Sequence, residues 1–251
     1  MLLKIDHKKL FLYTINHEKP SRKYLKNTMK FYEQILAFLF NLSTIPRLPD
    51  GVGIMNPFLA EEVRSVCQQF YKKYYNDHLV RKMIIGINPG RFGAGLTGIP
   101  FTDPIRLEKI CGIINPFDKK QELSSVFIYQ MIASFGGPEE FYSRFYITSV
   151  SPLGFLANGK NLNYYDRKDL QEGLSPFIIK TLKEQLDFGI SKETAFCLGE
   201  GKNFKFLKTL NQKQGFFKEV IPLSHPRFIM QYRFKKREEY IDKYLAAFKT
   251  N

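Results

Sequence analysis

The chain has 251 residues, 44% of them hydrophobic and 15% aromatic, with 24 Phe, 14 Tyr and no Trp, which is enough to bury a sizeable core and excludes wholesale disorder. Lys and Arg number 38 against 24 Asp and Glu, a formal charge of +14; this points to a polyanionic partner, nucleic acid first, because neutralising phosphates releases counterions, with a lysine-rich solubility surface as the plainer alternative. The cysteines, Cys67, Cys111 and Cys197, are odd in number and scattered, and His7, His17, His78 and His225 show no ligand spacing, so a disulfide framework, an iron–sulfur cluster and a structural zinc are all unexpected.

The first twenty residues are mixed in polarity, without the apolar core of a signal peptide. The longest strongly apolar stretch, Ile35 to Phe40, is far too short to span a bilayer. A soluble, intracellular protein with no membrane partner is expected. Residues 24–43 read as an amphipathic helix ending before a loop at Pro46–Gly53, and 58–76 as another, started by Asn56-Pro57. The period then changes. Met83 to Ile87 is a continuous apolar run stopped by Asn88-Pro89-Gly90, the pattern of a strand buried on both faces. Similar runs recur at Phe145–Thr148, Ala195–Leu198 and Val220–Leu223. Helical patterns separate or follow them, at about 104–114, 123–135, 166–188, 201–213 and 236–249. Strand–helix alternation predicts a three-layer α/β/α fold with a central, mainly parallel four-stranded sheet, in one domain: a helical part over 1–80 and an α/β core over 81–251. In open parallel sheets ligands bind beyond the carboxyl ends of the strands, so the loops at 88–103, 149–159, 199–202 and 224–234 should meet at one edge.

The first of these loops continues GINPGRFGAGLTGIPFTDP from Gly86. Gly90, Gly93, Gly95 and Gly98 allow backbone amides to approach a ligand closely. The Walker pattern and a helix-opening GxGxxG are both absent, and a plain glycine-rich turn is the alternative. GINPG followed by TG-x-PF resembles motif one of the uracil-DNA glycosylase superfamily, whose single-strand-selective monofunctional and mismatch-specific branches carry similar forms. Ser224-His225-Pro226-Arg227 follows the last strand and resembles motif two of the monofunctional branch; the mismatch branch usually lacks that histidine. Clear motif matching covers about 30 residues, while strand order and loop placement agree over roughly 83–235.

The resemblance implies a monofunctional, base-flipping glycosylase of base excision repair that needs no metal or cofactor, is typically monomeric, and works on single- or double-stranded DNA. It would do so in the cytoplasm, at the nucleoid, of a bacterium, or in the nucleus of a eukaryote. It assigns Asn88 to positioning the attacking water, Phe101 to stacking on the extruded base, and Gly90, Arg91 and Phe92 to shaping the pocket. His225 would bond the base carbonyl nearest the sugar. The chemistry is consistent: N-glycosidic cleavage passes through an oxocarbenium-like state, and a neutral imidazole can donate to the departing anion. Asn88 can orient water but cannot take its proton, which implies a dissociative path. Asp103, the nearest carboxylate, reads as the N-cap of the helix that Pro104 begins.

Two departures from the family pattern matter. Where the monofunctional branch reads the uracil edge with asparagine, this chain has Ser149, whose hydroxyl cannot make a bidentate amide contact. A pocket tolerant of larger deaminated bases, such as xanthine or hypoxanthine, or of 5-substituted uracils, is expected. Motif two runs HPRFIMQYRFKK, in which Arg227, Phe228, Met230 and Tyr232 are candidates for a wedge replacing the flipped base, and Arg233, Lys235, Lys236 and Arg237 for contacts along the DNA backbone, or else a solvated basic helix start. Leu198 to Asn203, closing a strand and opening a helix, either holds a phosphate on helix amides or is a plain turn. The competing functions are a catalytically inactive nucleic-acid-binding module on the same fold, a mismatch-specific thymine/uracil glycosylase, and a nucleotide-phosphate hydrolase; the last lacks a carboxylate cluster for magnesium.

Overall fold

The computed structural model describes residues 28–42 and 47–249. Four parallel strands form its centre: β2 (Arg81–Gly86), β3 (Phe145–Ser149), β6 (Ile190–Leu198) and β7 (Glu219–Leu223), in the order β3-β2-β6-β7. The predicted α/β/α sheet is therefore present. The apolar runs of the two central strands, and of the edge strand β3, are buried on both faces, while β7, at the other edge, tolerates Pro222 because its outer side needs no partner. The chain leaves β2 for β3 on one side and crosses back past β2 to reach β6 on the other. This reversal opens a crevice at the carboxyl end of β2.

Aromatic packing fixes helices on both faces. Neighbouring residues of a strand point to opposite faces, and Tyr146 and Phe145 on β3 meet different partners. Tyr146 lies 5.6 Å, ring to ring, from Phe31 on α1 (Phe31–Phe40), which stacks on Tyr75 at the end of α2 (Glu61–Tyr74). Phe145 lies 4.6 Å from Phe248 of the last helix, Arg237–Lys249, which also meets Phe196 of β6 at 4.8 Å.

The foot of β2 carries a fully buried cation. Arg81 donates to both oxygens of Asp77 at 2.7 and 2.8 Å and to the Tyr142 carbonyl at 2.6 Å, and its guanidinium lies against the stacked pair Phe31 and Tyr75, 4.6 and 4.7 Å from their ring centres. Removing one partner of a buried pair strands the other charge. Asp77→Ala is expected to lower stability by about 3 kcal/mol, the low end for such a break because Asp77 reaches solvent. An unchanged urea midpoint would mean that water satisfies the guanidinium.

Several predicted elements need correcting. Within the expected helix 24–43, residues 24–27 and 43 lie outside the described residues and the helix is Phe31–Phe40, at whose start the Glu33 carboxylate accepts the Lys30 backbone N–H at 2.7 Å. The expected helix 58–76 is a 3-10 turn, Pro57–Leu59, followed by α2. The expected helix 104–114 stops at Lys109, with Gly112 at φ +68 just beyond it. The 1–80 part is not purely helical: β1 (Gly53–Met55) pairs antiparallel with β4 (Gly154–Ala157), and β4 with β5 (Lys160–Leu162). Of this small sheet, β4 lies in the expected loop 149–159, and Asn161 on β5 lines one side of the crevice. The loop 224–234 contains a helix, Pro226–Tyr232, and the loop 88–103 a short turn of helix, Ala94–Thr97. Among the described residues no helix is long and apolar enough to cross a membrane.

Candidate active site

The ends of all four parallel strands converge on one cleft of about 800 Å³. Its lining includes Asn88, Gly90, Arg91, Phe92, Phe101, Ser149, His225, Arg227, Phe228 and Tyr232. The expected catalytic pair and all five expected base-binding residues thus share one cavity, as do three of the six expected DNA-binding residues. Arg233, Lys235 and Lys236 lie outside it. With Tyr232 they line a neighbouring basic depression that Phe234 and Lys243 also border.

His225 is the N-cap of the helix Pro226–Tyr232, and its Nδ1 accepts the backbone N–H of Arg227 at 3.1 Å. An accepting Nδ1 places the ring proton on Nε2. Burial, and then the charge of Arg227, pull the imidazole down to about 4, so at neutral pH it is an uncharged donor. The loop bearing it is held from two sides: the Tyr244 hydroxyl donates to the Ser224 carbonyl, and the Ser224 hydroxyl donates to Glu200 at 2.8 Å.

Phe101 lies 6.0 Å from the His225 ring. It has a left-handed backbone, φ +53, which for a residue with a side chain costs about 1–3 kcal/mol and marks an imposed conformation. Its ring crosses the end of β2 where Gly86 has no side chain; a Cβ there would sit 2.9 Å from Phe101 Cε2. Gly86 therefore makes room for the ring on the cleft floor. Ser149 ends β3 beside Gly86, nearly buried, its hydroxyl unbonded to any described residue.

Asn88 is fixed rather than free. Its Oδ1 accepts the Tyr164 N–H at 3.1 Å, and its Nδ2 donates to the carbonyls of Leu162 and Pro89, both at 3.3 Å. The second lone pair of Oδ1 remains for a water. Tyr164 extends the lock: its hydroxyl donates to Asn203 Oδ1 at 2.8 Å, and Asn203 Nδ2 donates to the Leu198 carbonyl at the end of β6 at 3.0 Å. Arg91 is turned onto the small sheet, with its amide bonded to Asn161 and its guanidinium to the Gly159 carbonyl. Phe92 is 44% exposed on the rim, under the cations of Arg91 and Lys120. Asp103 caps its helix as expected, accepting from the Arg106 amide at 2.8 Å.

The sequence did not single out Tyr164, Asn161 or Glu122. The first two come with the hairpin β4–β5, which was readable: Asn158-Gly159, at φ +50 and +70, is the Asn-Gly pair that two-residue hairpin turns favour. Glu122 carries no local signal. It sits just before the helix Leu123–Phe135 and reaches the cleft only through tertiary packing.

A family model for the uracil DNA glycosylase superfamily matches residues 72–249. The crystal structure of wild-type SMUG2 from Pedobacter heparinus is similar to this chain at 51% identity and a TM-score of 0.86, covering 88% of this chain and 98% of that one. No curated protein matches.

Proposed function

Because the chain belongs to the uracil-DNA glycosylase superfamily, we propose that it is a monofunctional glycosylase that flips uracil, and also deaminated purines, out of DNA and hydrolyses the N-glycosidic bond. The observation that carries this reading is His225: a neutral imidazole with Nδ1 occupied by a backbone amide, its remaining N–H in the same cleft as Phe101 and Asn88.

In the proposed reaction an extruded base stacks on Phe101, and the Nε2–H of His225 donates to the base carbonyl nearest the sugar as negative charge grows there. As the C1′–N bond breaks, the sugar becomes oxocarbenium-like. Water held on Asn88 then adds to C1′, and its proton passes to solvent. Asn88 has no basicity, so this order, bond breaking first, suits it. The proposed chemistry uses no Schiff base: the reacting groups are Asn88, Phe101 and His225, whereas Lys202, which also lines the cleft, opens the helix Lys202–Gln214 beyond β6. The exposed side chains of Phe228 and Tyr232 and the Arg227 cation border the cleft, and Arg233, Lys235 and Lys236 line the neighbouring depression; there they would fill the vacated stack and hold phosphates.

The test uses end-labelled single- and double-stranded oligonucleotides bearing uracil, hypoxanthine, xanthine or a T·G mismatch, with alkali to reveal abasic sites. Alkali-dependent breaks at uracil are expected. Tight, salt-sensitive binding with no breaks at any base would instead mean a binding module. Ser149 should set the breadth of the pocket. Ser149→Asn fills the space beside Gly86 and supplies an amide that pairs with a pyrimidine edge. It is expected to raise the uracil-to-hypoxanthine ratio of kcat/KM by at least about tenfold; an unmoved ratio would take Ser149 out of base recognition.

A further inference from the structure

We infer that the Glu122 carboxyl is the proton donor to the leaving base when that base is a purine. The inference rests on the glycosylase reading above and adds a residue to it.

Geometry supports it first. Glu122 lines the cleft with Phe101, Ser149 and His225. The loop after Asn88 is shaped around its acid: a Cβ at Gly93 would fall 1.9 Å from Glu122 Oε2, and one at Gly90 3.7 Å from Oε1. Any side chain at position 93 would evict the carboxyl. The residue is anchored through its backbone, whose N–H donates to Asp103 Oδ2 at 2.9 Å. The carboxyl itself accepts no hydrogen bond from any described residue, so its bonding capacity is left for a guest.

The surrounding charges set its protonation. Burial and then the Asp103 carboxylate push Glu122 up to about 7, with Arg227 pulling the other way. Arg106 pairs with Asp103 at 3.1 Å, and His225, neutral, adds no charge. Near neutral pH a substantial fraction of Glu122 therefore keeps its proton, the match between acid and working pH that general acid catalysis needs.

Purines require such a group and uracil does not. Uracil departs as an anion spread over the carbonyl that His225 bonds. A purine leaves through N9 and carries a basic N7 in its imidazole ring. As the proton moves from the Glu122 carboxyl to N7, the electron pair of the C1′–N9 bond goes to the base, which departs neutral. Water adds to C1′, and the proton it sheds returns through solvent to the Glu122 carboxylate. One water is consumed and nothing is oxidised or reduced.

The experiment measures single-turnover excision of hypoxanthine and of uracil from one oligonucleotide sequence, at saturating enzyme, over about pH 5.5–8. Wild-type excision of hypoxanthine should fall as pH rises through about 7 and approach tenfold per unit, while uracil excision does not follow that curve. Glu122→Gln should lower hypoxanthine excision at about pH 6 by at least tenfold and flatten its pH profile; Glu122→Asp, which keeps a titrating acid, should restore a sloping one. A Glu122→Gln enzyme retaining the wild-type slope overturns the inference, as does a wild type that excises uracil but no purine. A wild type that excises nothing sinks the glycosylase reading itself, so the two failures are distinguishable.

Discussion

Replacing His225 by alanine is expected to lower kcat for base excision by about 10²–10³-fold with little change in KM, the effect of removing one preorganised donor to a developing anion. The imidazole makes its important bond only as charge appears on the base, so ground-state binding should barely register its loss. Its charge state is part of the prediction. Burial and Arg227 hold the group near 4, below its ordinary value near 6.5. It therefore stays neutral across the working range and contributes no bend to the kcat profile above about pH 5. Between those two values the folded protein binds fewer protons at this site than the unfolded chain. The stability linked to neutral His225 is then present above about pH 6.5 and lost as pH falls toward 4. Urea titrations of wild type should show that acid slope, and His225→Ala should reduce it.

His225 also caps a helix, so alanine carries a stability cost of about 0.5–2 kcal/mol independent of chemistry. His225→Asn separates the two roles. Asparagine is a good N-cap and should recover most of the stability, but its shorter amide does not reach where Nε2–H points. Low activity with restored stability is the expected outcome. Full activity in His225→Ala would remove the imidazole from the mechanism and leave the inactive binding module as the better reading.

How much of this was legible depends on the range of the interactions involved. The buried strands announce themselves by continuous apolar runs, and Leu123–Phe135 by its helical period, because both patterns are local. Loop convergence follows from parallel topology alone, which is why Asn88, Ser149 and His225 could be expected in one place. Helix ends read from periodicity overshot where a glycine such as Gly112 stops the chain. The short strands β4 and β5 offer too few residues for a period, and only their Asn-Gly turn marks them. Glu122 and Arg81 were invisible for another reason. A charged residue in a sequence reads as solvated, and only the folded surroundings decide that Arg81 lies against a stacked pair of rings and Glu122 against two glycines.

Asn88→Ala is expected to reduce kcat by about 10²-fold, the scale on which catalysis suffers when a reacting group is misplaced by about 1 Å. Two effects combine. The water loses its acceptor at Oδ1, and the Tyr164 amide and Leu162 carbonyl lose the side chain that ties them to the end of β2. Leaving such groups unpaired should also lower stability by about 1–3 kcal/mol. Tyr164→Phe tests which effect matters more: it cuts the bond to Asn203 but leaves all three bonds of Asn88 in place, and it should cost less than about tenfold in kcat. Asn88→Asp adds the chemical half of the contrast. Aspartate still accepts from the Tyr164 amide, but its second oxygen faces the Leu162 and Pro89 carbonyls, each 3.3 Å from the nitrogen it replaces. That repulsion should lower the melting temperature, while the new basicity speeds water capture relative to Asn88→Ala. If Asn88→Asp were no faster than alanine, water addition would already follow bond breaking too closely for a base to help, and Asn88 would act by holding the cleft wall rather than the nucleophile.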